Sequence, residues 1–306
     1  MTRIVSAHLG GVLVTAAALA AGCGGSSGGA TDPVGDATPS SVTVQFAAQV
    51  ADQPVECGQT YSGVGEGVQN SYQVNDFRFF IADVHLHGGG RTVDVELEQD
   101  GVWQFENVAL LDFENGCGDA GTPATNTTIT GTPQGDISGL NEFCFTLGVP
   151  FDKNHIDDAT AASPLNASGM LWSWTGGRKF LRVDGIGDPG AQNVPYNVHL
   201  GSTGCVDSAG DPAPDSQCAF PNRAEFCLAD FDPSSDVVVA DLAVALEHAN
   251  IVVNTAGTAP GCMSANSDPE CIAVIPHIGL DFTFDDGANP AEEHHGHASL
   301  FRKATP

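Results

Sequence analysis

The chain has 306 residues, 42% of them hydrophobic and 16% charged, with 38 Asp and Glu against 10 Lys and Arg and a formal net charge of −28 at pH 7. That balance excludes nucleic-acid binding through phosphate contacts, which needs clustered cations. The hydrophobic fraction is too high for a disordered chain, and the length suits one large domain.

Residues 1–22 carry Arg3 and then an uncharged apolar run from Leu9 to Ala21. The run is too short to span a membrane as a mature helix and reads as an export signal. It ends Leu19-Ala20-Ala21-Gly22-Cys23, small residues leading into a cysteine. This resembles a bacterial lipobox, with Ala20 where leucine is usual, and makes Cys23 the expected lipidated first residue of the mature chain. A plain signal peptide cut nearby is the alternative. Residues 23–41, rich in Gly, Ser, Pro and Thr, have the composition of a flexible tether. The expected location is therefore extracytoplasmic, lipid-anchored at the periplasmic face, outer membrane or cell surface.

Beyond the tether, alternating or β-rich runs bounded by Gly, Pro, Asn and Asp predict strands at 41–50, 72–87, 92–98, 127–131, 142–148, 179–183, 196–200, 225–231, 236–242 and 278–284. Short strands and 37 glycines indicate an all-β fold. The expectation is a single antiparallel β-sandwich or Greek-key-like domain over residues 42–286, with long disulfide-stapled loops and little helix. One helix is predicted at 241–250, where Leu242, Leu246 and Ala249 share a face. Residues 287–306 read as a His-rich C-terminal tail, in which Glu292, Glu293, His294, His295 and His297 form a metal-capturing composition.

Nine cysteines less a lipidated Cys23 leave an even number, which in an exported chain implies disulfides. Cys205 and Cys218, and Cys262 and Cys271, each lie close enough to staple a local loop. Cys144 and Cys227 sit in strand-like segments and can pair across neighbouring strands, which leaves Cys57 with Cys117. No Cys-x-x-Cys spacing supports a thiolate zinc site.

Asn154-His155, Trp172-Ser173-Trp174 and the run from His199 to Cys205 stand close together beside predicted strands. Several strings resemble the MbnP-type copper-binding lipoproteins: 76–81 (DFRFFI), 108–116 (VALLDFENG), 147–155 (LGVPFDKNH), 164–166 (PLN), 170–174 (MLWSW), 199–205 (HLGSTGC) and 261–264 (GCMS). The resemblance covers roughly residues 43 to 284 in one order. It implies copper, expected as one ion held near a tryptophan that a MauG-like dihaem peroxidase-family partner oxidises to kynurenine, with histidine ligands. MopE and CorA of methane oxidisers are analogous.

The chemistry is sound on its own terms. Imidazole ligates copper in either oxidation state, and opening an indole ring makes an aniline-type nitrogen. An intact tryptophan offers only a donor N–H and cannot ligate. His155 and His199 lie in the best-matched strings and are the first choice of ligands. His85 and His87, at strand spacing, can supply another. Trp174 is the favoured modification site because Gly176-Gly177 permits close approach, followed by Trp172 and Trp103. For each tryptophan ordinary core packing is the competing explanation, and for His85 and His87 a solvent-facing strand edge. Asp-rich loops such as 184–188 match no EF-hand, so calcium is not expected. No hydrolase, metalloprotease or phosphate-loop signature indicates an enzyme. The alternative function is a surface structural or adhesion lipoprotein without a specific metal site.

Overall fold

A computed structural model describes residues 40–68, 70–117, 122–172, 177–206, 214, 216–297 and 299–305. The export signal, Cys23, nearly all of the tether and Trp174 lie outside the described residues. The spine of the domain is one long strand, Asn70–Gly88, whose ends alternate in burial while the residues from Phe77 to Ala82 are wholly buried. Burial at every position, with Arg78 the single charge in an otherwise apolar run, is what a strand covered on both faces shows.

Successive stretches of the spine pair antiparallel with Thr60–Val64, Leu181–Gly187, Val108–Asp112, Glu142–Leu147 and Arg91–Leu97. From Arg91–Leu97 the sheet continues through Thr128–Pro133 and Val42–Val50 to Val237–Asp241 and Phe301–Ala304. It curls so that Phe46 meets Phe79 and Phe145 at ring-centroid distances of 6.3 and 5.9 Å. The all-β expectation holds. Not every pairing is antiparallel, however: Val42–Val50 runs parallel to Val237–Asp241, and Asn197–Leu200 is parallel to Gly261–Cys262.

All four expected disulfides are present: Cys57–Cys117, Cys144–Cys227, Cys205–Cys218 and Cys262–Cys271. Cys144 and Cys227 are direct cross-strand partners. Each closed loop removes freedom from the unfolded chain worth on the order of 3 kcal/mol.

Two expectations are corrected, and one fully buried strand escapes the sequence pattern. The strand Val108–Asp112 was not predicted, because its five buried residues carry no alternation. Residues 278–284 do not form one strand. Ile275–Ile278 is a helical turn, with Pro276 in its first turn and Gly279 at φ 110° ending it, and the strand is only Phe282–Phe284. The predicted helix is confined to Leu242–Leu246, started by the Asp241 side chain accepting from the Ala243 amide.

The segment expected as a tail returns to the domain. Glu292–His294 pairs with Phe282–Phe284, and Phe301–Ala304 pairs with Val237–Asp241. Leu300 and Phe301 are buried, and Phe301 meets Phe79, Phe145 and Phe226 edge-on at 5.3, 4.9 and 4.9 Å. Two apolar residues are too few to show a period, so the strand is hidden in the sequence. Phe301→Ala should cost about 3–5 kcal/mol in urea denaturation; a neutral substitution would return this segment to the status of an appendage.

Candidate metal centre

Two neighbouring strands carry charges at alternate positions in otherwise apolar sequence: Asp76-Phe77-Arg78 on the spine and Arg182-Val183-Asp184 on Leu181–Gly187. The register sets Arg182 opposite Arg78 and Asp184 opposite Asp76, and on the next strand His199 stands opposite Arg182. Strand period brings all five side chains to one face. Arg78 donates to both Asp76 oxygens, through Nε at 2.8 Å and a terminal nitrogen at 2.5 Å. Arg182 lies 3.2 Å from Asp76 and donates to Asp184 through Nε at 3.0 Å. His199 Nε2 lies 2.5 Å from Asp184 Oδ1.

Each of these side chains is buried or nearly so, where an unpaired charge would cost several kcal/mol. Burial raises Asp76 despite its arginine. For Asp184 burial works in the same direction, but the hydrogen bonds from His199 and Arg182 outweigh it and hold the carboxyl well below the usual range. Burial depresses His199 more than Asp184 raises it, so the ring is neutral near pH 7. An ionised Asp184 can only accept, so Nε2 carries the proton and the lone pair of the ring is on Nδ1. Metal-bound imidazoles use this same carboxylate arrangement.

The network also grips the residues that lead to the tryptophans. Arg182 and Lys179 both donate to the Gly169 carbonyl, at 2.9 and 2.8 Å, and Arg78 donates to Ser168 at 2.9 Å. Burial lowers Lys179 to about 8. Next along the chain Leu171 bridges Arg178 antiparallel, and the Trp172 amide donates to Gly177 at 3.1 Å. Arg178 is fully buried, and its guanidinium donates to the carbonyls of Leu165, Lys153, Asn154 and Ile156. Asn154 Oδ1 accepts in return from the Arg178 amide at 2.8 Å. These bonds lash the helical turn Phe151–Asn154, and with it His155, to the Leu171/Arg178 bridge.

Two glycines let the parts meet. A Cβ on Gly177 would lie 3.2 Å from His155 Cε1, and one on Gly201 would lie 2.2 Å from Cζ3 of Trp172. Thus His155 rests against one arm of the bridge. The Trp172 ring, on the other arm, covers the backbone two residues beyond His199. At Gly177 the expectation is the approach of another backbone, whereas the three atoms nearest a Cβ there belong to the Asn154 and His155 side chains.

The remaining candidates lie elsewhere. His87 Nδ1 is 2.7 Å from Glu142. His85 is 3.6 Å from Glu225 and sits beside the Cys144–Cys227 disulfide. The structure gives these two rings separate carboxylates and does not bring them to His155 or His199 as one cluster. Trp103 is half-buried against the core, its amide donating to Asp100 Oδ1 at 2.7 Å. His155 lies 3.6 Å from Cys218 Sγ, which is in a disulfide and offers no thiolate. Among the described residues, no cluster of three ligand atoms contains both His155 and His199. Asp184, expected in an acidic loop, is instead a strand residue tied to His199. Sequence reasoning missed the arginine–aspartate ladder, whose signal was the charge at alternate positions in two apolar strands.

A family model described as MbnP matches residues 39–264. Among solved structures, MbnP from Methylosinus trichosporium is similar over 87% of this chain and 98% of its own, with 31% identity and a TM-score of 0.70. No curated protein matches.

The ladder makes a pH prediction. Asp184 has a folded pKa below its unfolded value of about 3.9, so its contribution is complete well above that pH and is lost as pH falls through the folded value. Asp184→Asn should therefore destabilise the protein at pH 7 by about 3 kcal/mol and flatten the acid limb of its stability profile. An unchanged profile in denaturant melts from pH 7 to 3 would show that Asp184 is not the charge that holds His199.

Proposed function

We propose, for a chain that belongs to the MbnP family, an extracytoplasmic copper-binding role served by His199 and His155 around the Leu171/Arg178 bridge. The observation that carries this reading is the buried His199–Asp184 pair. It places the ring's lone pair on Nδ1, the arrangement that a metal-bound imidazole uses. The residues fit copper in kind: two imidazoles, a partly buried carboxylate behind one of them, and no available thiolate among the described residues, a set that suits copper in preference to calcium or magnesium.

In the same reading one tryptophan of the Trp172-Ser173-Trp174 triplet is converted to kynurenine by a dihaem partner, and the aniline nitrogen so formed supplies a further donor. The chain's own part is to hold His155 and Trp172 still. Arg178, with four carbonyl partners, and the two close-approach glycines do this. Cys23 anchors the protein to a membrane by lipid, so that Cys23→Ser should release it to the soluble fraction. The role is binding and handling of the metal rather than catalysis.

Copper titration tests the proposal. His199→Ala and His155→Ala should each weaken binding by about 10–100-fold, while His87→Ala should leave it alone. Protein co-expressed with the dihaem partner should yield one tryptophan peptide, spanning Trp172 and Trp174, that has lost one carbon and gained one oxygen. Equal affinity in all three variants would contradict the site, and intact tryptophans beside an active partner would remove the kynurenine.

A further inference from the structure

A different cluster of histidines forms on the side of the domain built by the chain's last third. Glu247 and His248 follow the helix Leu242–Leu246, and His277 lies in the helical turn Ile275–Ile278. One ligand atom from each of Glu247, His248 and His277 lies within 4.8 Å of the other two. The His248 and His277 rings have centroids 4.5 Å apart. His297, from the segment that returns to the domain, completes the group. Its ring meets His277 edge-on at 4.3 Å, with the two Nε2 atoms 3.0 Å apart.

His297 is held there by backbone. Its amide donates to Pro276 at 3.2 Å, and the Leu300 amide donates to Ile278 at 3.1 Å. Gly296 passes so close to Gly279 that a Cβ would lie 2.7 Å from the Gly279 carbonyl carbon, so only glycine permits this approach. His297 Nδ1 faces the His295 carbonyl at 2.9 Å. A carbonyl only accepts, so Nδ1 carries a proton, which leaves Nε2, on the side of His277, as the ring's ligating nitrogen. His277 is buried at 6% exposure, while Glu247, His248 and His297 are exposed. A surface cleft of about 220 Å³, lined by His248 with Tyr196, Asn250 and Glu270, lies on the His248 side of the cluster.

We propose that Glu247, His248, His277 and His297 form a separate site for a divalent transition-metal ion of the copper–zinc type. Nitrogens sharing a tetrahedral ion with bonds of about 2.0–2.1 Å stand about 3.3 Å apart, close to the separation between His277 and His297. Three imidazoles with one carboxylate suit zinc or Cu(II), whereas calcium and magnesium prefer sets made of oxygen. The carbonyl behind His297 Nδ1 supplies the outer partner that orients a ligating ring. His277 and His297 lie beyond residue 264, where the family match ends, and the site does not depend on the copper reading given above.

The test is Zn²⁺ titration of chelator-stripped protein by calorimetry, followed by Cu²⁺ binding read by electron paramagnetic resonance. A His248→Ala/His297→Ala protein should lose one tight equivalent of Zn²⁺ and the matching nitrogen-coupled copper signal. His294→Ala/His295→Ala should lose neither, and the loss should persist in a His199→Ala background, which separates this site from the bridge. Both substituted histidines are exposed, so melting should match the parent; if it does not, His248→Gln alone replaces the double variant. Unchanged stoichiometry in the His248/His297 variant, the absence of a tight equivalent in the parent, or equal loss in the His294/His295 variant would overturn the proposal.

Discussion

The fold depends on enclosing four charges and a histidine between adjacent strands and leaving none of them unpaired. Arg78, Asp76, Arg182, Asp184 and His199 form one chain of contacts across three adjacent strands. A one-residue slip in either pairing would turn those groups to the opposite face and strand the charges. The ladder therefore acts as a register device as well as a store of polar structure. Removing a single member leaves its neighbour buried and uncompensated, which costs more than the intact pair contributes. It also carries the arginine and lysine donors that fix residues 168 and 169, and so the approach to the tryptophans.

The same economy operates around His155. Arg178 has no carboxylate partner among the described residues; burial lowers it to about 10, and backbone carbonyls satisfy its guanidinium. A cation used in this way orders three chain segments at once: 153–156, 165 and 178. Rigid support of this kind is what a metal centre needs if its ligands are to keep their spacing without the ion. The histidine cluster near the chain end is built on another plan, with two helical turns and a returning segment clamped by the contact of Gly296 with Gly279.

Much of this was legible in sequence because it depends on local pattern. Strand positions follow from alternation, and the four disulfides follow from parity, spacing and strand context. His155, Trp172 and His199 were marked by the strings that resemble the family, and the structure brings His155 and the His199 strand to the two arms of one bridge. What stayed hidden depends on contacts between distant residues. Val108–Asp112 is buried throughout and shows no period. Phe301 contributes one ring to a cluster assembled from other strands. The ladder needs the register between three strands before its charges can be seen as partners. His248, His277 and His297, separated by 29 and 20 positions in the chain, had nothing in their neighbours to link them; only the return of the last segment brings them together.

The central claim is that copper, once bound, lies at the Leu171/Arg178 bridge between His155 and His199. Anomalous diffraction at the copper edge from crystals of copper-loaded protein tests this most directly. The account predicts a peak within bonding distance, about 2.0–2.1 Å for an imidazole nitrogen, of His199 Nδ1, with His155 and a residue of the 172–174 segment beside it. A copper peak confined to the exposed histidines of the last segment, with none near His199, would contradict it.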